Sequence, residues 1–157
     1  MAGAGKESGA LYQTIWADRA GSSFLPPATE SLVARGAQRL TPMITVDDAL
    51  DARPSFAPEL VKLDVQGFEL EVLKGAQRHF QRTEVFILET SLFRFLPNQP
   101  LAVDCIHFME ERGYDIYDVT GFLRRPYDNA LGQIDLAFAK RAGKLRRSNS
   151  WNACAPE

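Results

Sequence analysis

The stretch Leu60-Val61-Lys62-Leu63-Asp64-Val65-Gln66-Gly67-Phe68-Glu69-Leu70-Glu71-Val72-Leu73-Lys74-Gly75-Ala76 joins an apolar run to a carboxylate and turns at once into a helix. Leu60, Val61, Leu63 and Val65 are too continuous for a strand with one wet face, and their β-branched content predicts a strand covered on both sides. A charge inside such a strand would be costly. At the carboxyl end of a strand in an open α/β sheet it faces the ligand crevice instead, and Asp64 falls there. Gln66 and Gly67 make the turn, glycine tolerating positive φ. Glu69 and Glu71 in the first helical turn, Lys74 in the last and Gly75 as the stop match the polarity of a helix dipole. Phe68, Leu70, Val72 and Leu73 supply its apolar contacts.

The same design recurs downstream, where Val85-Phe86-Ile87-Leu88 runs into Glu89. The 24 residues between the two acids suit a right-handed crossover, which sets the two strands parallel with both acids at one end of the sheet. Upstream, Leu11 to Ala17 reads as a strand turning toward Ser23-Phe24-Leu25. A loop with room for a short helix then runs to Arg39, before a short strand from Met43 to Val46 and a helical turn from Asp47 to Asp51. Ala76 to Arg82 allows a further helical turn or two. Leu92 to Pro100 forms a loop over the acid-bearing end, a natural place for a substrate wall. Pro100 opens a helix with Ala102, Ile106 and Met109 on one face and Gly113 as its cap. Tyr114 to Val119 and Ile134 to Ala139 read as two final strands. The fold class is α/β, with a mostly parallel sheet and an antiparallel closing pair.

At 157 residues, 45% of them hydrophobic and 24% charged, the chain suits one globular domain. Residues 1–10 read as a flexible start, 11–140 as the domain and 141–157 as a basic, disordered tail. The net charge of -2 gives no general attraction to nucleic acid. No apolar run approaches the ~20 residues that cross a bilayer, so neither nucleic acid nor membrane is expected as a partner. Cys105 and Cys154 form no disulfide framework, which points to a reducing cytoplasm. His79 and His107 stand apart from other ligands, and no metal is expected. Gly3-Ala4-Gly5-Lys6-Glu7-Ser8-Gly9 has neither a preceding strand nor the Ser or Thr that follows the lysine of a phosphate loop. No Gly-x-Ser-x-Gly elbow appears, so serine hydrolysis has little support.

Lys62-Leu63-Asp64-Val65-Gln66-Gly67-Phe68-Glu69, then Val72-Leu73-Lys74-Gly75-Ala76 and Glu89, resemble the central signature of the FkbM-type S-adenosylmethionine-dependent methyltransferases. Thr45 to Leu50, Ala17-Asp18-Arg19-Ala20-Gly21, Gly113-Tyr114 and Gln133 to Phe138 extend the resemblance over roughly residues 11 to 140. It implies a Rossmann-like methyltransferase sheet, S-adenosylmethionine as cofactor, and methyl transfer to a hydroxyl of a small molecule or glycan, such as a sugar or secondary metabolite. It also implies that Asp64 lies near methyl donor and acceptor, with Glu89 as the second catalytic acid, and that Asp64, Gln66 and Gly67 line the cofactor.

The family's Gly-rich strand, turn and helix have no counterpart in these residues, so the resemblance covers the rear portion of the fold. In the family's strand order that would leave the strand ending at Asp64 with an open edge, inviting self-association or a complementing chain. A non-catalytic remnant or interaction module of the same fold is the rival reading. Each residue has a structural alternative. Asp64 pairs with Lys62, Gln66 and Gly67 merely shape a turn, Asp135 is a strand-pairing or salt-bridge acid, and Glu69 is a helix-end charge worth about 0.3 to 1 kcal/mol.

Overall fold

The computed structural model describes residues 2–17 and 21–152, which form two mixed sheets with short helices. The smaller sheet holds β1 (Gly3–Ala4), β2 (Gly9–Thr14) and β3 (Gln38–Ile44) in the order β1-β3-β2, with α1 (Glu30–Ala34) between β2 and β3 in the chain. After α2 (Val46–Asp51) the larger sheet is built from β4 (Leu60–Leu63), β5 (Val85–Ser91), β6 (Tyr114–Arg124) and β7 (Leu131–Lys140). Its order is β4-β5-β7-β6. Helix α3 (Glu69–Lys74) connects β4 to β5, and α4 (Ala102–Glu110) connects β5 to β6.

The parallel pairing of β4 with β5 follows from the crossover through α3, with Leu63 opposite Leu88. The remainder of the large sheet corrects the expectation of a mostly parallel arrangement. Strand β7 inserts between β5 and β6 and runs antiparallel to both, so one pair in three is parallel. The β6–β7 connection is a short hairpin, which can only join antiparallel strands, and it returns β7 alongside β5 from the acid-bearing end. Other extents differ too. The strand expected over 43–46 is β3, which starts at Gln38 and ends at Ile44, and the strand expected over 11–17 is β2, which ends at Thr14. Strand β5 continues past Glu89 to Ser91, β6 runs on to Arg124, and the helical stretch expected over 76–82 shortens to a 3₁₀ turn at Phe80–Arg82.

Gly3 and Ala4, expected within a flexible start, pair in parallel with Met43 and Ile44. They bring Gly5 against Gly75, where a Cβ on Gly75 would run into the Gly5 carbonyl oxygen. The glycine that stops α3 is therefore also a point of close backbone approach to the residue after β1. Asp47 fastens the same corner: it is buried, its carboxylate accepts from the backbone N–H groups of Arg78 and His79, and its own N–H donates to the Gly75 carbonyl at 2.9 Å. Buried groups so paired avoid a desolvation penalty of about 1–3 kcal/mol each.

One face of the large sheet, carrying Leu63, Phe86, Leu88, Leu136 and Phe138, shares the core with Val72 and Leu73 of α3 and with Cys105 and Met109 of α4. Tyr114 is fully buried there, its hydroxyl 2.6 Å from the carbonyl oxygens of Phe80 and Thr83. Burial pushes the Cys105 thiol up to about 12, which leaves it inert as a nucleophile. Beyond β7, Arg146 donates to the Ile116 carbonyl at 3.1 Å and, with Arg141, pairs with Asp115. That part of the basic tail thus lies against β6. Asp18 to Ala20 of the turn expected after the first strand, and Cys154, lie outside the described residues. Among the described residues no helix is long and apolar enough to cross a membrane.

Candidate active site

Asp64 is the residue after β4, and Glu89 lies in β5 one position beyond the partner of Leu63, so the parallel register sets the two carboxyls side by side. The face opposite the core carries Lys62, Ile87 and Glu89 by alternation along the strands, and β7 adds Asp135 directly across from Glu89. Gly121 of β6 completes that row. A Cβ there would come within 2.9 Å of the Asp135 carboxylate, so the glycine leaves the acid its space.

Gln66 ties the cluster together. Its backbone sits at φ +52°, a left-handed conformation unusual for glutamine and one that needs support from its surroundings. From there its carboxamide nitrogen donates to Asp64 Oδ1 at 2.9 Å and to Glu89 Oε2 at 2.8 Å. Gln133 donates to the same Glu89 oxygen at 3.1 Å. Burial, with the Asp64 charge and hydrogen bond beside it, pushes the Glu89 carboxyl up to about 7. Lys62 stands 3.7 Å from Asp64 and 3.8 Å from Asp135, so the simple Lys62–Asp64 pair exists, shared with a third acid. It is exposed, and such a contact contributes little stability by itself.

The turn beneath this cluster is clamped from inside. Glu69 is buried, and its Oε1 accepts from the backbone N–H groups of Val65 and Gly67, 3.1 Å each. Burial raises its carboxyl above the ordinary range, although those hydrogen bonds oppose the shift. Ser23 donates to the Gln66 carbonyl at 2.8 Å. Gly67, at φ +89°, has the space of its missing Cβ filled by Leu25 and Gln99. Gln99 in turn donates to Ser91 Oγ at 2.7 Å and accepts from the N–H groups of Phe95 and Leu96, which orders the loop over the strand ends.

The sequence expectations thus divide. Asp64 and Glu89 converge as anticipated from two strands ending together. Gln66 spends its two N–H donors on those acids and Gly67 gives its backbone N–H to Glu69, so both shape the site from within. Gln133, Ser23 and Gln99 were not anticipated. Gln133 sits two residues before Asp135 and so on the same strand face, but only the β5–β7 register brings it to Glu89.

A cavity of about 620 Å³ opens beside this cluster, between the small sheet and α3. Phe24, Leu25, Met43, Phe68 and Leu70 line it, with Lys6, Glu71 and Lys74 also in its wall. It touches the strand-turn-helix at Gly67, while Asp64 and Glu89 do not line it. Its size and apolar lining with a few polar groups are those of a small-molecule site. The donor set fits S-adenosylmethionine in kind. In the cavity wall the Glu7 and Glu71 carboxylates can accept from ribose hydroxyls or face a sulfonium charge, and the aromatic side chains Phe24 and Phe68 suit a purine. Among the described residues no group of three His, Cys, Asp or Glu converges to hold a metal ion.

No curated protein and no solved structure matches the chain. The profile of the methyltransferase FkbM domain does match, over residues 5–116 of the 157, spanning β2 and β3 of the small sheet, the Asp64 turn and Glu89. The chain belongs to the FkbM methyltransferase family.

Proposed function

We propose that this chain is an S-adenosylmethionine-dependent methyltransferase that acts on the hydroxyl oxygen of a sugar or secondary metabolite, with Asp64 and Glu89 receiving that hydroxyl. The observation that carries the reading is the Glu89 carboxyl, held near neutrality at about 7 and hydrogen-bonded through Gln66 to Asp64. A base whose pKa lies close to the operating pH is well placed to take a proton as the oxygen attacks. The bound cofactor supplies an already activated methyl group, so the protein's task is alignment more than covalent help. Asp64 orients the hydroxyl, Glu89 accepts its proton, and Gln66 and Gln133 fix the carboxyl that does so. Glu69 holds the turn on which Asp64 and Gln66 stand.

Titration calorimetry with S-adenosylmethionine, followed by methyl-transfer assays on a panel of sugars and phenols, tests the proposal. Saturable binding is expected, with Glu89→Gln lowering turnover about a hundredfold or more, the usual contribution of a general base. Absence of saturable binding at millimolar cofactor would sink it.

A second reading rests on one observation: among the described residues no strand pairs with β4 on the side away from β5. An open parallel edge accepts a strand from another chain, which makes a complementing partner or a second copy the alternative role for this domain. Sedimentation velocity separates the two readings, since a strictly monomeric chain with cofactor affinity favours the enzyme alone.

A further inference from the structure

The end of the large sheet that carries Glu89 also carries a protruding apolar tip. The N–H of Leu92 donates to the Gly132 carbonyl at 2.9 Å, which joins the loop after β5 to the β6–β7 hairpin. The Arg125 guanidinium lies 3.8 Å from the Phe93 ring centre and pairs with Asp128, and the Phe93 and Phe95 rings are 5.9 Å apart. Phe122, Leu123 and Tyr127 are 67%, 60% and 90% exposed, with Leu92 and Phe95 exposed beside them. Exposed aromatic and aliphatic side chains gathered on both faces of one sheet end in this way mark a contact site. Two cations stand within it: neither Arg94 nor Arg124 makes an ion pair among the described residues, and Arg124 is held to the hairpin by the Asn129 carbonyl and lies 6.0 Å from the Phe122 ring centre.

Strand addition does not explain this surface. Strand β6 has register shifts between Ile116 and Asp118, Val119 and Gly121, and Leu123 and Arg124, and bulges of this sort twist an edge away from pairing. The tip residues also stand outside the 620 Å³ cavity, so they do not enclose its ligand. What remains is a partner that accepts side chains rather than backbone. Rings and a leucine flanked by unpaired arginines match a bilayer interface, where aromatic side chains settle at headgroup level and cations meet anionic lipid. The charge pattern orients the approach. The chain as a whole carries -2, while at the tip itself, over 92–95 and 122–128, Arg94, Arg124 and Arg125 stand against the single acid Asp128, which pairs with Arg125.

We propose that the tip formed by residues 92–95 and 122–127 docks this protein on an anionic membrane surface, with Phe122, Leu123 and Tyr127 entering the interface and Arg94 and Arg124 meeting lipid headgroups. This is peripheral attachment, and it is independent of the methyl-transfer reading.

Co-sedimentation of the full chain with phosphatidylcholine vesicles, with and without phosphatidylserine, provides the test. The chain binds the mixed vesicles and binds pure phosphatidylcholine at least fivefold more weakly. Arg94→Gln and Arg124→Gln each weaken binding to the mixed vesicles about fivefold, the equivalent of about 1 kcal/mol per cation. The pair Phe122→Ser and Leu123→Ser abolishes it, whereas Val103→Ser, an exposed apolar site on α4, leaves it unchanged. All these sites are exposed, and an unchanged urea midpoint confirms that each variant folds. No binding to the mixed vesicles, or binding that the tip variants leave intact, overturns the proposal. So does a wild-type dimer that Phe122→Ser with Leu123→Ser returns to monomer, since that assigns the tip to a second copy.

Discussion

Replacing Glu69 by leucine tests whether the turn that carries Asp64 and Gln66 is held from within. The side chain is 2% exposed, and one carboxylate oxygen accepts from the N–H groups of Val65 and Gly67, 3.1 Å each. Leucine occupies similar space and leaves both donors buried and unpaired, at about 1–3 kcal/mol each. Relief of the buried charge offsets part of this, so the expected net loss is about 2–4 kcal/mol. For a chain of this length each kcal/mol shifts the midpoint by about 2–4 °C, so thermal unfolding should fall by about 4–16 °C. Glu69→Gln keeps the accepting oxygen without the charge and should stay within about 1 kcal/mol of wild type. The pH dependence adds a sign. Burial raises the folded-state carboxyl above the ordinary glutamate value of 4.5, so the folded chain binds the proton more tightly than the unfolded one. Stability relative to Glu69→Gln should therefore decline as pH rises from about 4.5 through the raised folded value. A wild type that instead gains on Glu69→Gln across that window, or a Glu69→Leu chain that melts unchanged, would refute the reasoning.

Three further expectations concern other parts of the molecule. Asp64→Asn removes the charge beside Glu89 and should move its titration, followed by carboxyl carbon NMR, down from about 7, while Gln66→Ala, by removing a donor, should move it up; unchanged midpoints in both would break the coupling. Because the folded Glu89 value is raised, its contribution also favours the folded state at acid pH and is lost as pH rises from 4.5 to about 7. Gly75→Ala should cost about 1–3 kcal/mol in urea unfolding by driving a methyl into the Gly5 carbonyl, and a neutral result would show that β1 is not docked there. Tyr114→Phe should cost about 1–2 kcal/mol, since its hydroxyl serves the buried carbonyls of Phe80 and Thr83, and stability within error of wild type would discount those bonds.

How much of this could be read in advance depends on whether the signal is local. The strands at Leu60 and Val85 are apolar runs ending in acids, a pattern legible in a dozen residues, and their crossover length fixes the parallel pairing. Gly113 at φ +83° beyond α4 is likewise local, whereas Thr45, expected inside a strand, instead caps α2 by accepting from Asp48 N–H at 2.9 Å. The insertion of β7 between β5 and β6 was hidden because antiparallel neighbours leave no mark on sequence order. The same gap concealed Gln133, whose contact with Glu89 spans 44 residues. Glu69 looked like a helix-end charge because its true partners, two backbone N–H groups on the N-terminal side, exist only once Gln66 takes its left-handed conformation. The opening residues gave no hydrophobic periodicity, and their glycines proved to matter for how closely Gly5 and Gly75 approach.

That approach has a kinetic side. The small sheet closes contacts between residues 3–4 and 43–44, carries mostly exposed side chains on β2 and α1, and meets the remainder of the chain mainly through Met43, the Phe24–Phe68 contact, Gly5 and the Ser23 hydroxyl. Such a unit opens at lower free energy than the sheet built on β5 and β7, and its amides should exchange with solvent first. The cavity of about 620 Å³ lies at the seam between the small sheet and α3. A ligand can then enter by a brief parting of the seam that leaves Asp64 and Glu89 undisturbed. Once inside, it should slow exchange across Gly5 to Leu11 more than across β5.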